Sequence, residues 1–132
     1  MNYKEKALEL FSKDNYACKV TGAEIVDVDL HYAKCSLVIN ESHLNAAGVV
    51  MGGAIFTLAD FAFAVATTTE NPFTVSLSAS IDYINGTVGP ILYAETKCIK
   101  NGRTICFYEI QITDSNGKNI ALATITGFKK TK

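Results

Sequence analysis

The chain of 132 residues has no tryptophan, only two prolines (Pro72 and Pro90) and only two histidines (His31 and His43). Its four cysteines, Cys18, Cys35, Cys98 and Cys106, form neither a CxxC pair nor a cysteine–histidine spacing, so no metal-ligand signature is present. An excess of either charge is also missing: 12 basic side chains face 13 acidic ones, for a formal net charge of -1. That balance removes any global electrostatic reason to expect nucleic acid or an anionic membrane as partner. A polyanionic ligand would need a local patch. The N-terminal MNYKEKALELF lacks the apolar core of a secretion signal, because Lys4, Glu5, Lys6 and Glu9 interrupt it. Free thiols and a cytoplasmic location are therefore expected.

Long apolar runs are scarce as well. The one candidate, Gly48 to Ala66, is rich in glycine and alanine and contains Asp60, so it reads as a buried helix rather than a membrane span. What is present is enough apolar material, 48% hydrophobic against 19% charged, to bury a core within one domain.

Tyr3 to Phe11 places Ala7, Leu8 and Phe11 on one helical face, which predicts a short amphipathic helix packed on an edge of the domain. From Ala23 the period changes to two, predicting a pair of strands joined near Leu30 and His31. A loop over Glu41 to Val50 leads through Gly52 and Gly53 into AIFTLADFAFAVATTT, a run of helical length that ends near Thr67, before Asn71 and Pro72. Four further strands are predicted over Phe73 to Tyr83, Ile91 to Lys100, Thr104 to Thr113 and Ile120 to Phe128, with KNGRT and DSNGK as turns. The class is α+β. A long helix without a hydrophilic face needs cover all round, so a curved antiparallel sheet of about six strands is expected to wrap around it.

Asp60 does not fit that helix. It is the only ionisable side chain between Leu44 and Thr69, and its neighbours three, four and seven positions away offer almost no hydrogen-bond partners. Desolvation raises the pKa of such a carboxyl and makes it a better base or nucleophile than an exposed aspartate. The plainer alternative is that Asp60 faces a water-filled gap or caps a loop. Upstream, Met51, Gly52 and Gly53 open the helix, where unpaired N–H groups favour developing negative charge. Asn45 offers an uncharged amide, although a turn role suits it equally.

The stretch from His43 to Asp60, HLNAAGVVMGGAIFTLAD, resembles the active-site signature of hotdog-fold acyl-CoA thioesterases, with the phenylacetate-degradation branch the closest likeness. Asn45, Gly52 and Asp60 match the family's Asn, Gly-Gly and Leu-Ala-Asp positions, and SIDYINGTVG, KNGRT and the last strand extend the likeness over nearly the whole chain from Ala23. One departure stands out: Met51 occupies the place of the family's histidine before the two glycines.

The resemblance implies a hotdog fold and hydrolysis of an acyl-coenzyme A thioester, with no cofactor. In that scheme the Gly52 N–H polarises the thioester carbonyl and Asp60 activates water or attacks directly. Asn45 and Ser76 position the reacting groups, with Ser76 preferred over Ser78 by alignment from Tyr83. Gly53, Met51, Phe56, Phe61, Phe63 and Tyr83 are candidates to contact substrate, and Lys97, Lys100 and Arg103 are candidates to meet coenzyme A phosphates. Lys129, Lys130 and Lys132 read as a solvated tail. Gly52 and Asp60 lie eight residues, about 12 Å, apart on one helix, too far for a single carbonyl, so a homodimer, doubled to a tetramer in the family pattern, would let two chains share each site.

Two rival functions follow from the same residues. A hotdog enoyl-CoA hydratase or dehydratase would need a histidine beside an acid, and neither His31 nor His43 lies in such a pattern. A noncatalytic acyl-CoA-binding domain would have no evident use for a costly buried carboxylate.

Overall fold

The computed structural model describes residues 1–131. Helix α1 spans Tyr3–Phe11, β1 Ala23–Asp29, β2 Tyr32–Val38 and helix α2 Gly52–Thr68; β3 to β6 follow as Thr74–Tyr83, Ile91–Asn101, Ile105–Asp114 and Asn119–Lys129. A π-helical segment over Asn15–Thr21 and a 3-10 turn over Glu41–His43 add to the expected elements. Neither carries an apolar period long enough to show in sequence.

All six strands join one antiparallel sheet in the order β1-β2-β4-β5-β6-β3. Helix α2 lies against it and touches every strand, the arrangement implied by the hotdog resemblance. Its alanine and leucine content favours the helix, and Thr67, Thr68 and Thr69 end it by turning their hydroxyls onto the carbonyls of Phe63, Val65 and Ala66. The buried side of α2, including Leu58, Phe61, Phe63 and Val65, meets fully buried Leu37, Leu92, Ile110 and Ile125 from the sheet. Each large apolar side chain so buried contributes about 1.5–3 kcal/mol. Phe63 stands edge-on to Tyr108 with ring centres 5.5 Å apart, so it belongs to this core and not to a substrate pocket.

The expectation that α2 is buried all round is corrected. Gly53 is exposed, and Phe56, Thr57, Asp60 and Ala64 are only half-buried. These residues recur at helical spacing and form one stripe that the sheet does not cover. The N-terminal expectation is adjusted too: α1 packs on edge strand β1 through Ala7 and Phe11, but Leu8 remains 49% exposed. Phe11 meets Phe61 of α2 edge-on at 5.4 Å.

The ends of the sheet differ. Strand β3 pairs only with β6 and leaves its other edge open, with Val75 and Leu77 among its exposed residues. At the opposite end of the β4–β5 hairpin, KNGRT makes the expected turn. The Gly102 N–H donates to the Ile105 carbonyl at 2.9 Å, and a Cβ on Gly102 would lie 2.6 Å from that oxygen, so only glycine fits the close approach.

Candidate active site

The start of α2 is held open from three sides. Met51 is its N-cap but supplies no side-chain hydrogen bond, and among the described residues no acceptor meets the Gly52 or Gly53 N–H. These are the unpaired donors that a helix leaves at its first turn. The Met51 N–H donates to the His43 carbonyl at 2.8 Å, tying the helix start to the preceding loop. Tyr83, on the last residue of β3, donates its hydroxyl to the Gly52 carbonyl at 3.0 Å. Tyr83 therefore braces the helix start, and it does not line the hollow beside Asp60.

Asn45 builds the loop before that helix. Its side-chain oxygen accepts from the Ala47 N–H at 2.9 Å and the Val49 N–H at 3.3 Å. The turn role weighed in the sequence is thus real, while the amide NH2 keeps both hydrogens for another acceptor.

Asp60 lies on the open stripe of α2. It shares a cleft of about 250 Å³ with Phe56, Thr57, Phe61 and Ala64 of its own helix and with Asp14, Tyr16 and Ala17 from the segment before β1. Burial first, and the nearby Asp14 carboxylate second, push the Asp60 carboxyl above the ordinary aspartate range. The apolar walls and the missing partners are the sequence expectation met. The Asp14 and Tyr16 wall was not anticipated, although an aspartate three residues before Ala17 is a recognisable cap signal; Asp14 accepts from the Ala17 N–H at 3.2 Å.

A bulge in β3 separates the two candidate serines. Ser76 pairs with Gly127 and Ser78 with Thr126, leaving Leu77 between them. A Cβ on Gly127 would lie 2.8 Å from Phe63 of α2, so cross-strand pairing sets Ser76 on the helix side of the sheet and Ser78 on the other.

The expected cations divide. Arg103 lines a hollow of about 810 Å³ beyond the C-terminal end of α2, together with Asn71, Phe73, Thr104, Lys129 and Lys130. Lys100 leans its stem over Gly102 beside this hollow without lining it, and Lys97 pairs across the sheet with Glu109 elsewhere. Reading Lys129 and Lys130 as a tail is corrected: Lys129 ends β6, and both join Arg103. Lys132 lies outside the described residues. Glu70, at the rim, takes hydrogen bonds from His31 and Asn101 and sits 3.4 Å from Lys129, and those contacts, the His31 bond first, hold its carboxyl below the usual range.

Both histidines are committed. Buried His43 accepts the Asn40 N–H on Nδ1 at 3.0 Å, which leaves Nε2 to donate to the Thr21 carbonyl at 2.7 Å. With His31 held on Glu70, neither histidine lines the Asp60 cleft.

Residues 47–121 match the model of the thioesterase superfamily. The chain belongs to that superfamily. A protein of Archaeoglobus fulgidus, named as an esterase without proof of activity, is 33% identical over 95% of this chain and 82% of its own length. The acyl-coenzyme A thioesterase PaaI of Escherichia coli is 31% identical over 83% of this chain and 79% of that protein. Superposed on the E. coli PaaI structure, this thioesterase-superfamily chain reaches a TM-score of 0.90 over 98% of its length and 94% of the other, with 22% of residues identical. The shared fold is the hotdog fold, α1 included. A thioesterase-type protein of Streptococcus pneumoniae, solved with coenzyme A, has a TM-score of 0.83 at 25% identity, covering 92% of this chain and 98% of that one. Among the described residues no helix is long and apolar enough to cross a membrane.

Proposed function

We propose that this superfamily member hydrolyses acyl-coenzyme A thioesters and does so as a homodimer in which each site draws on two chains. The carrying observation is Asp60, a carboxylate without a hydrogen-bond partner among the described residues in a small, largely apolar cleft, held above its ordinary pKa first by that burial. Such a group is poised to take a proton from water near neutral pH. The E. coli relative named as an acyl-coenzyme A thioesterase supports the same chemistry.

In the reaction, Asp60 accepts a proton as water adds to the thioester carbonyl carbon. The developing oxyanion is met by the Gly52 N–H, with Gly53 and Met51 framing the approach. The tetrahedral intermediate collapses with loss of the coenzyme A thiolate, which recovers the proton. Asn45 donates its free amide hydrogens to the carbonyl or the water, and Ser76 holds the water from the helix side of β3. Phe56 and Phe61 contact the acyl group. Arg103, with Lys130 and Lys129, meets the phosphates of coenzyme A, and Lys100 adds charge at the edge of that hollow. The cation-lined hollow begins beyond α2, roughly 15 Å along the helix direction from Asp60, so an extended ligand arm must connect the two regions.

Gly52 and Asp60 of one chain are two turns apart on α2, and the two regions share no lining residue. Two copies joined through the open edge of β3 would bring the helix start of one to the Asp60 cleft of the other, and cover Val75 and Leu77. A further pairing of such dimers gives the tetramer of the family pattern.

The test is thiol release from a panel of acyl-CoA esters, followed by subunit mixing. Asp60→Asn and Asn45→Ala homodimers should each be impaired. Their hybrid should regain activity, because one of its two sites is assembled entirely from wild-type residues. Verified hybrids as inactive as both parents would exclude the shared site, and an Asp60→Asn protein as active as wild type would exclude the chemistry.

A further inference from the structure

The segment between α1 and β1 supplies one wall of the Asp60 cleft. Its anchor is Asp14, whose backbone N–H donates to the Phe11 carbonyl at 3.0 Å and whose side chain caps the π-helical segment through the Ala17 N–H at 3.2 Å. Those two bonds fix the Asp14 carboxylate at the junction of α1 with the π-helical segment. The same residue lines the cleft with Asp60. Two carboxylates therefore face one hollow of about 250 Å³.

Among the described residues no cation lines that cleft. The titratable groups lining the cleft are Asp14, Tyr16 and Asp60. Helix α2 also packs against α1 and all six strands, and none of these elements sends a charged side chain into the cleft; Phe56, Phe61, Ala17 and Ala64 form the remainder of its wall with Thr57. A like charge is least screened where the walls are apolar and water is limited. Loading an acyl group would exclude more water and strengthen the effect.

We propose that Asp14 is a positioning residue for the hydrolytic reaction, acting through space to keep Asp60 a stronger base than the cleft walls alone would make it. The inference rests on the reading of Asp60 as the general base. Asp14 does not contact the reacting atoms in this scheme. Its influence is the repulsion between two fixed carboxylates, which disfavours the ionised form of Asp60 and so strengthens that group's hold on a proton. The upward displacement of the Asp60 carboxyl, with Asp14 as its second cause after burial, agrees with this role.

Asp14→Asn separates charge from structure, because asparagine caps a helix as well as aspartate does. Asp14→Ser keeps a capping oxygen by a different chemistry and serves as a second neutral variant. The Asp60 carboxyl is followed by carbon-13 NMR in the intact protein across the acidic pH range, beside the pH profile of kcat/KM for thiol release. Both neutral variants should stay folded and unfold at or above the parental temperature near neutral pH, because the repulsion between the two carboxylates is relieved. In both, the Asp60 resonance should titrate at lower pH than in the parent, and the acid limb of kcat/KM should move down by the same interval. Restoring the charge with Asp14→Glu should return both midpoints toward the parent. An unmoved Asp60 resonance in both folded neutral variants overturns the proposal. So does an acid limb that stays in place while the resonance moves. An inactive parent, or full activity in Asp60→Asn, would sink the catalytic reading instead, and the resonance would still report the coupling between the two carboxylates.

Discussion

The Tyr83 hydroxyl donates to the Gly52 carbonyl at 3.0 Å, and the ring that carries it fills the space a side chain on Gly52 would need. A Cβ on Gly52 would come within 3.0 Å of the ring and 3.1 Å of the hydroxyl oxygen. One aromatic side chain thus fixes the carbonyl of the first helical residue and crowds any side chain placed there.

Gly52→Ala should consequently lower activity far more than stability. The half-exposed Tyr83 ring can swing aside, which forfeits a hydrogen bond worth about 0.5–1.5 kcal/mol, while alanine returns up to about 1 kcal/mol of helix propensity. The urea midpoint should barely move. Alanine keeps the backbone N–H, but its methyl pushes Tyr83 off the helix start, and a donor misplaced by about 1 Å should cost on the order of 100-fold in thiol release. Tyr83→Phe removes only the hydroxyl and should cost about 0.5–1.5 kcal/mol in the same unfolding measurement.

Asp60→Asn should be inactive and more stable. The loss in kcat is expected to be at least ~100-fold. The folded-state pKa of Asp60 lies above its unfolded value, so this carboxyl favours the folded state only while protonated, below the unfolded pKa. That advantage is lost as pH rises through the folded pKa. The Tm of Asp60→Asn should therefore exceed the parent's near neutral pH, and the difference should shrink on acidification. Equal Tm values at pH 7 would contradict the burial cost assigned to the carboxylate.

Much of this was readable in advance, and most of the misses share a cause. Strand limits followed from alternation, and Asp60 stood out because charge is conspicuous in an apolar helix. The bracing by Tyr83, the Asp14 wall and the gathering of Lys129 and Lys130 beside Arg103 depend on contacts between residues far apart in sequence. Lys129 looked like a tail because its neighbours Lys130 and Lys132 are charged, yet its backbone N–H donates to the Thr104 carbonyl at 2.7 Å, which draws it onto the β4–β5 turn. The open stripe of α2 was hidden for a different reason. Its residues are mostly as apolar as the covered ones, so the stripe reads like core in the sequence.

Arg103→Ala should raise KM for acyl-CoA by roughly 10- to 100-fold with little change in kcat, as expected for loss of a charge-assisted contact worth about 1.5–3 kcal/mol. The variant's KM should also respond less to added salt, because a screened attraction has been removed. An unchanged KM and salt response would place the phosphates elsewhere.

Replacing all four cysteines by alanine should leave the chemistry in place. Cys35 is fully buried and its thiol is pushed up to about 12 by that burial, and Cys106 is likewise buried and raised. Neither should react with iodoacetamide in the folded protein at pH 7. A folded cysteine-free protein that releases no thiol, with Asp60 intact, would point to a cysteine nucleophile.

The place of β3 at the edge of the sheet also sets the order in which the molecule can be completed. Its sole partner among the described residues is β6, made last among the strands and ending 46 residues after Tyr83. At synthesis rates of about 5–20 residues per second that separation is a delay of roughly 2–9 s. Throughout the interval the segment bearing Ser76 and Tyr83 has no strand to pair with, and Gly52 has no brace. The proposed reaction centre is therefore among the last parts of the nascent chain to take shape, and cells short of chaperone capacity should lose the protein through clumping of half-made chains along the exposed Val75–Leu77 edge.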